Sequence, residues 1–250
     1  MSNLFVEAYR VAWADMCCIR RTIVSVIVTC LIGPLLYLFG FGYGLGGGMT
    51  IQGVDYMAFL IPGVISMTTL SACFSFTSSK IFIQKTFYRS IDEMLLCPVS
   101  TAAVVIGKSM MGVVRGMISC TILMVMAVFM SGDFHLSLAL VLCVIFCCLT
   151  YSLLGVATGL LMKSHSDVSL FSALVITPMT FLCGTVFSLD ALPVVAKAAV
   201  NVLPLTHTTD MLRSLALGTQ FPWVSLAVTA AFCAAFFAIA YWIIKTGRYQ

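Results

Sequence analysis

The chain has 250 residues, 61% of them hydrophobic and only 9% charged, and its mean hydropathy is +1.11. Soluble domains carry charge on about a quarter of their residues, so a water-facing globule and a soluble enzyme are excluded and the chain reads as an integral membrane protein. The 13 Lys and Arg outnumber the 9 Asp and Glu to leave +4. That excess is spread along the chain instead of forming a basic stripe, which argues against nucleic-acid binding.

The first element is an amphipathic helix over residues 3–20. Asn3, Glu7, Arg10 and Arg21 share one face, and Leu4, Phe5, Ala8, Tyr9, Ala12, Trp13 and Met16 cover the other. Asp15 falls off the polar arc. The pattern predicts an interfacial helix with Trp13 at the headgroup boundary, serving as a resting anchor or as an elbow that transmits motion into the first span. The apolar run behind Arg20 and Arg21 is too long for a signal-peptide core, so an anchor is expected there.

A bilayer core of about 30 Å takes roughly 20 helical residues. That length, applied between the charges, predicts six spans over 22–44, 56–79, 104–130, 136–162, 168–188 and 223–244. The runs are continuous and too long for barrel strands. An N-terminus inside places Arg10, Arg20, Arg21, Lys80, Lys85, Arg89, Lys108, Lys163, Lys245 and Arg248 on the cytoplasmic side, with Lys197 and Arg213 opposite. The Lys and Arg excess therefore predicts cytoplasmic termini. Of the 11 cysteines, Cys30, Cys73, Cys120, Cys143, Cys147, Cys148 and Cys233 lie inside apolar runs, where Cys acts as a small hydrophobe. Neither a disulfide framework nor a metal site is expected.

Between the second and third spans, residues 80–100 interleave Lys80, Lys85, Arg89, Asp92 and Glu93 with Ile81, Phe82, Ile83, Phe87, Tyr88, Ile91, Met94, Leu95 and Leu96. This is too apolar for a plain loop. It predicts a short helix, stopped by Pro98, that docks onto a partner or rests in the headgroups. Gly107, Lys108 and Ser109 imitate the tail of a phosphate loop, but Ala102 stands where its first glycine should be. Gly42, Gly44 and Gly47 match a dinucleotide spacing at the end of a membrane helix, the wrong context for a nucleotide site. Gly112 with Gly116, and Gly155 with Gly159, are small-residue pairs that let helices approach within one chain or between two.

With Lys108 marking the inner interface, Arg115 lies within the third span roughly 10 Å deeper. A charge at that depth requires a partner or a wet cavity. A structural ion pair with Asp92 or Glu93, or a contact with substrate, would meet that need.

Residues 189–219 are too broken to span, since Pro193, Pro204 and the polar run through Thr206, His207, Asp210 and Arg213 interrupt them, yet they are too apolar for water. Two short helices dipping into the outer leaflet are predicted, buried in protein or lining a cavity. His207, Asp210 and Ser214 share a helix face, but side chains standing parallel on one helix cannot form a catalytic relay. Capping is the plainer role.

This order of parts resembles a type 2 ABC exporter permease. YMAFLIPGVISM (56–67) is similar to the start of that family's second span, and IDEMLLCPVS (91–100) to the end of its coupling segment. FLCGTVFSLDALP (181–193) and LPLTHTTDMLRSLALG (203–218) carry the strongest likeness. The subgroup resembled is that of small bacterial nodulation-factor and polyketide-drug exporter permeases. The resemblance implies a single all-α permease domain over 1–250 in the inner membrane, paired with a second copy. A separate ATPase subunit would hold ATP and Mg, with no cofactor on this chain, and the cargo would be a lipid, a lipid-linked saccharide or an amphipathic drug. Lys85, Phe87, Tyr88, Arg89, Asp92 and Glu93 are then assigned to coupling, and Pro193, Pro204, His207, Asp210 and Arg213 to an outer gate. A secondary transporter is the alternative, but no span carries a ladder of buried acids for proton relay. A lipid-processing membrane enzyme would need acids and histidines clustered in the spans, which the sequence lacks.

Overall fold

A computed structural model describes residues 4–21, 23–43, 50–51, 54–130, 136–182 and 200–247. In chain order these form α1 (Leu4–Arg21), α2 (Ile23–Tyr37) running into a π-helical turn (Leu38–Tyr43), and a two-residue hairpin of β1 (Thr50–Ile51) and β2 (Val54–Asp55). The chain continues with α3 (Tyr56–Thr86), α4 (Ser90–Leu96), α5 (Thr101–Met130) and α6 (Leu138–Leu161). Next come α7 (His165–Phe171), a π turn (Ser172–Ile176), α8 (Thr177–Leu182), α9 (Pro204–Leu217) and α10 (Trp223–Lys245).

The described chain is thus helical apart from the hairpin. Four helices, α3, α5, α6 and α10, are long and apolar enough to cross a membrane. The expected first and fifth spans take a different form, because each is interrupted by a π turn. Pro178 follows the second of these turns; lacking an N–H and crowding the preceding turn, it cannot continue the hydrogen-bond ladder, and the helix widens ahead of it. The glycines of LFGFGY accompany the first.

Helix α3 is the axis of the bundle, packed by α5, α6 and α9, with α1 laid along α5 and α10 along α6. Close approach depends on the glycine pairs, and the contacts they make are within one chain. A Cβ on Gly112 would collide with Thr77 and Ser152, and one on Gly116 with Cys73 and Cys148. On α6, Gly155 faces Thr77 and the Phe74 carbonyl, and a Cβ at Gly159 would stand 2.7 Å from the Ser78 carbonyl oxygen. These positions set the α3–α5–α6 spacing. One apolar core surrounds Leu60, Phe74, Leu123, Cys147 and Tyr151; a second, at the other end of the bundle, gathers Ile81, Ile91, Val104, Leu160 and Ile243.

Helix ends follow local chemistry. Ser137 caps α6 by accepting the Leu140 N–H, and Ser164 with Asp167 forms a capping box that starts α7. Gly218, at φ 67°, supplies the left-handed residue that ends α9.

Candidate functional site

The segment expected as one docking unit over 80–100 is divided. Lys80 to Thr86 are the last turns of α3, and only Ser90–Leu96 forms a separate helix. Between them the chain reverses through Arg89, which adopts φ 50°. Ile91 is buried in the second core and anchors α4, whereas Phe87, Tyr88 and Leu96 are 74%, 68% and 88% exposed. Arg89 and Glu93 are exposed beside them and Asp92 is half-buried. Large apolar side chains held outward on an anchored turn, with charges of both signs around them, form a surface suited to a protein partner.

Lys85 stands apart from that surface. Its Nζ donates to the carbonyls of Leu160 at 2.8 Å and Met162 at 2.9 Å, which closes the C-terminal end of α6. A cation there satisfies orphan carbonyls and matches the helix dipole.

The reading of α1 also changes. Its buried face is Ala8, Val11, Ala12 and Asp15, which packs on α5 where Gly107 lets Val11 and the Ala8 carbonyl come close. The large apolar residues Phe5, Tyr9 and Trp13 point outward. Asp15, off the arc as a surface residue, accepts from Lys108 Nζ at 2.8 Å and from Gln84 Nε2 at 2.7 Å. Lys108 is 1% exposed, so it lies inside the bundle, paired with Asp15. Nearer the start of α1, Glu7 accepts from the backbone N and the hydroxyl of Ser100, at 2.9 and 2.8 Å. Helix α1 therefore holds both ends of the turn that carries α4. Sequence reasoning missed this pair; the signal was the spacing Ala8, Val11, Ala12, Asp15, a small-residue face ending in a charge.

Arg115 makes no ion pair with Asp92 or Glu93. Its guanidinium carbon lies 4.4 Å from the centre of the Phe76 ring on α3, a cation–π contact within the bundle.

At the opposite end, α9 is enclosed in protein. Leu205, Thr206, Thr208, Thr209, Met211 and Leu212 are all buried. Tyr151 on α6 and Ser66 on α3 converge on Thr208, at 2.7 and 3.1 Å, and Thr209 donates to Ser66 at 3.0 Å. This hydroxyl cluster satisfies polar groups at membrane depth and pins α9 to two spans. His207 Nε2 meets the Asn201 carbonyl at 2.8 Å, which places the proton on that nitrogen in the neutral ring, so Nδ1 accepts from Ser225 on α10 at 3.2 Å. Arg213 stacks over Phe59, 3.7 Å from the ring centre. Ser214 donates to the Met211 carbonyl, and His207 is engaged elsewhere, so no relay joins the two. Pro204 starts α9 as its first residue. Pro193, with the first of the two expected outer helices, lies outside the described residues.

Comparison with known proteins agrees with this architecture. Residues 7–217 match the family described as ABC-2 type transporter. An inner membrane transport permease of Escherichia coli, YadH, is 29% identical over 253 aligned positions, covering 99% of this chain and 98% of that protein. Nodulation protein J of Rhizobium leguminosarum bv. viciae is 30% identical over 84% of this chain and 82% of its own length. The counterpart from R. leguminosarum bv. trifolii is 33% identical over 75% and 72%. The family match over residues 7–217 and the near full-length likeness to a transport permease, in keeping with the bundle of apolar helices, make this chain a member of the ABC-2 type transporter family, a membrane permease.

Proposed function

We propose that the chain is the permease subunit of an ATP-driven exporter in the cytoplasmic membrane, working as a pair of copies with a separate ATPase subunit on each. The cargo is a lipid, a lipid-linked saccharide or an amphipathic drug, moved outward. The single observation that carries the coupling role is the α4 turn, where Phe87, Tyr88 and Leu96 are exposed while Ile91 fastens the helix to the bundle. An exposed apolar turn on an anchored helix can be gripped by a soluble partner and pushed without unfolding.

In this reading the whole chain is one permease domain, and the π-broken segments 23–43 and 165–182 complete six spans with both termini cytoplasmic. The distribution of Lys and Arg supports that orientation, and the description of YadH as an inner membrane permease supports the membrane assigned. Helix α2 turns Val28, Ile32 and Leu36 outward, and the space around Gly33 is open, which leaves room for a second copy. ATP and Mg belong to the ATPase, whose closure would displace α4 and, through the Glu7 and Asp15 contacts, α1 as well. Phe87, Tyr88, Arg89, Asp92 and Glu93 meet the ATPase, while Lys85 supports them by closing α6. The α9 region, with Pro204, His207, Asp210 and Arg213, acts as the outer gate together with Pro193.

The test is reconstitution. Permease and an ATPase subunit encoded beside it are placed in vesicles, and ATP-dependent movement of a fluorescent short-chain lipid between leaflets is followed. Movement that needs ATP supports the reading; movement driven by an imposed proton or sodium gradient without ATP overturns it.

A further inference from the structure

Arg115 stands midway along α5, fifteenth of its 30 residues. A hydrocarbon core takes roughly 20 helical residues, and a window of that length placed anywhere on α5 includes position 115. The charge therefore lies inside the bilayer core, where an ionised side chain has to face a partner or a wet gap.

The bundle supplies only part of that partnership. The guanidinium carbon is 4.4 Å from the centre of the Phe76 ring, and a ring face attracts the charge without accepting the N–H donors that lie in the guanidinium plane. The Nε is enclosed with no acceptor, and no carboxylate among the described residues pairs with the guanidinium. The acid that α1 brings to α3 and α5, Asp15, has one oxygen taken by Lys108 and the other by Gln84. Arg213 is a contrast: it too stacks on a ring, but Asp210 stands one turn back on α9, close enough to attract it. Arg115 as a whole is only half-buried, so part of its guanidinium remains within reach of another molecule.

The approach to Arg115 is cationic as well. Across their 31 and 30 residues, α3 and α5 contain Lys80, Lys85, Lys108 and Arg115 and no Asp or Glu. Lys80 follows Phe76 by one turn toward α4, on the same face of α3, and lies near enough to Lys108 for the two ammonium groups to repel.

We infer that Arg115 binds an oxyanion, the phosphate or carboxylate of a molecule passing through the bilayer core, which approaches along the α3–α5 seam past Lys80. Guanidinium N–H groups pair with such oxygens two at a time, and a low-dielectric surrounding strengthens the pair. A resident lipid keeps its phosphate at the membrane surface, so an anion at this depth belongs to a molecule in transit. Transit rests on the exporter reading, whereas binding at Arg115 needs no ATP.

The test compares the melting temperature of the full chain with those of Arg115→Met, Arg115→Lys and Arg10→Gln in a neutral maltoside detergent, with phosphatidylglycerol or diacylglycerol added to the micelles. In detergent alone Arg115→Met should melt at or above the parent, because it removes a core charge without breaking an ion pair; a residue that served only to hold α5 to Phe76 would lower the melting temperature when replaced. Phosphatidylglycerol should stabilise the parent, and diacylglycerol, with the same tails and no phosphate, should not. The phosphatidylglycerol concentration required should rise by roughly tenfold or more in Arg115→Met, the scale of lost hydrogen bonds to a charged group, and by less in Arg115→Lys, which keeps the charge but not the planar fork. Arg10→Gln removes an exposed arginine of α1 and should leave the response unchanged. Stabilisation by free glycerol phosphate would assign the site to soluble anions, and a need for the lipid would assign it to amphiphiles; both keep the oxyanion. A lower melting temperature of Arg115→Met in detergent alone, an equal phosphatidylglycerol response in the parent and Arg115→Met, or an equal loss in Arg10→Gln overturns the inference. ATP-driven lipid movement by the permease–ATPase complex is measured separately, so failure of the exporter reading would appear there and not in the melting response.

Discussion

Asp15 on α1 and Lys108 on α5 form a 2.8 Å ion pair inside the bundle, with Gln84 of α3 as a third member. Three helices thus meet on two opposite charges. Removing one partner leaves the other buried and uncompensated, which typically costs about 3–5 kcal/mol, whereas replacing both with apolar residues is often neutral. Lys108→Met and Asp15→Leu should each reduce the yield and melting temperature of detergent-purified permease, and the double variant should recover most of the loss. Additive losses in the double variant would show that the two residues act independently.

The α4 turn makes the second prediction. Phe87→Ala and Tyr88→Ala remove exposed side chains, so the permease should fold and insert as before. Interface anchors of this kind contribute about 2 kcal/mol or more on truncation. Binding of the purified ATPase should therefore weaken by at least about tenfold in each variant, read by surface-immobilised titration. Unchanged binding and transport would remove these residues from the interface.

Lys85 separates support from contact. Because its ammonium closes α6 at Leu160 and Met162, Lys85→Met should lower thermal stability by about 0.5–2 kcal/mol, the scale of a charge at a helix end. ATPase affinity per folded molecule should stay within about twofold. A large loss of affinity at unchanged stability would return Lys85 to the docking surface.

For α9, Tyr151→Phe and Thr208→Val break the same hydroxyl cluster and should each destabilise by about 1–3 kcal/mol, since each leaves a buried group unpaired. Asp210→Ala and His207→Ala test gating instead. Transport per membrane-inserted molecule should fall while ATPase binding holds, and unchanged specific transport in both would leave the region as scaffolding.

The packing glycines make a prediction of another kind. Gly112→Leu must displace Thr77 or Ser152, and helices already in contact cannot absorb that volume. Loss of folded protein from the membrane is expected, and normal accumulation would contradict the tight α3–α5–α6 approach.

Composition and the length of the apolar runs were enough to determine a helical membrane protein, and the motifs around residues 56–67, 181–193 and 203–218 were enough for the family. These properties are local, carried by hydropathy along one segment or by residue identity at fixed spacing. What the sequence alone could not decide were the relations between helices. Asp15 looked like a defect in an amphipathic face, Lys108 like an interface marker, Lys85 like a docking charge and Arg115 like half of an ion pair. Each took its role from a group far away in the chain, namely Lys108, Asp15, the Leu160 backbone carbonyl and Phe76. The π turns, too, were hidden, because hydropathy does not register whether a helix closes its hydrogen bonds after four residues or five. In the low-dielectric interior a polar group must find a partner wherever the fold supplies one, so the tertiary structure, and not the pattern along the chain, decided which charges are structural and which stand free to meet another molecule.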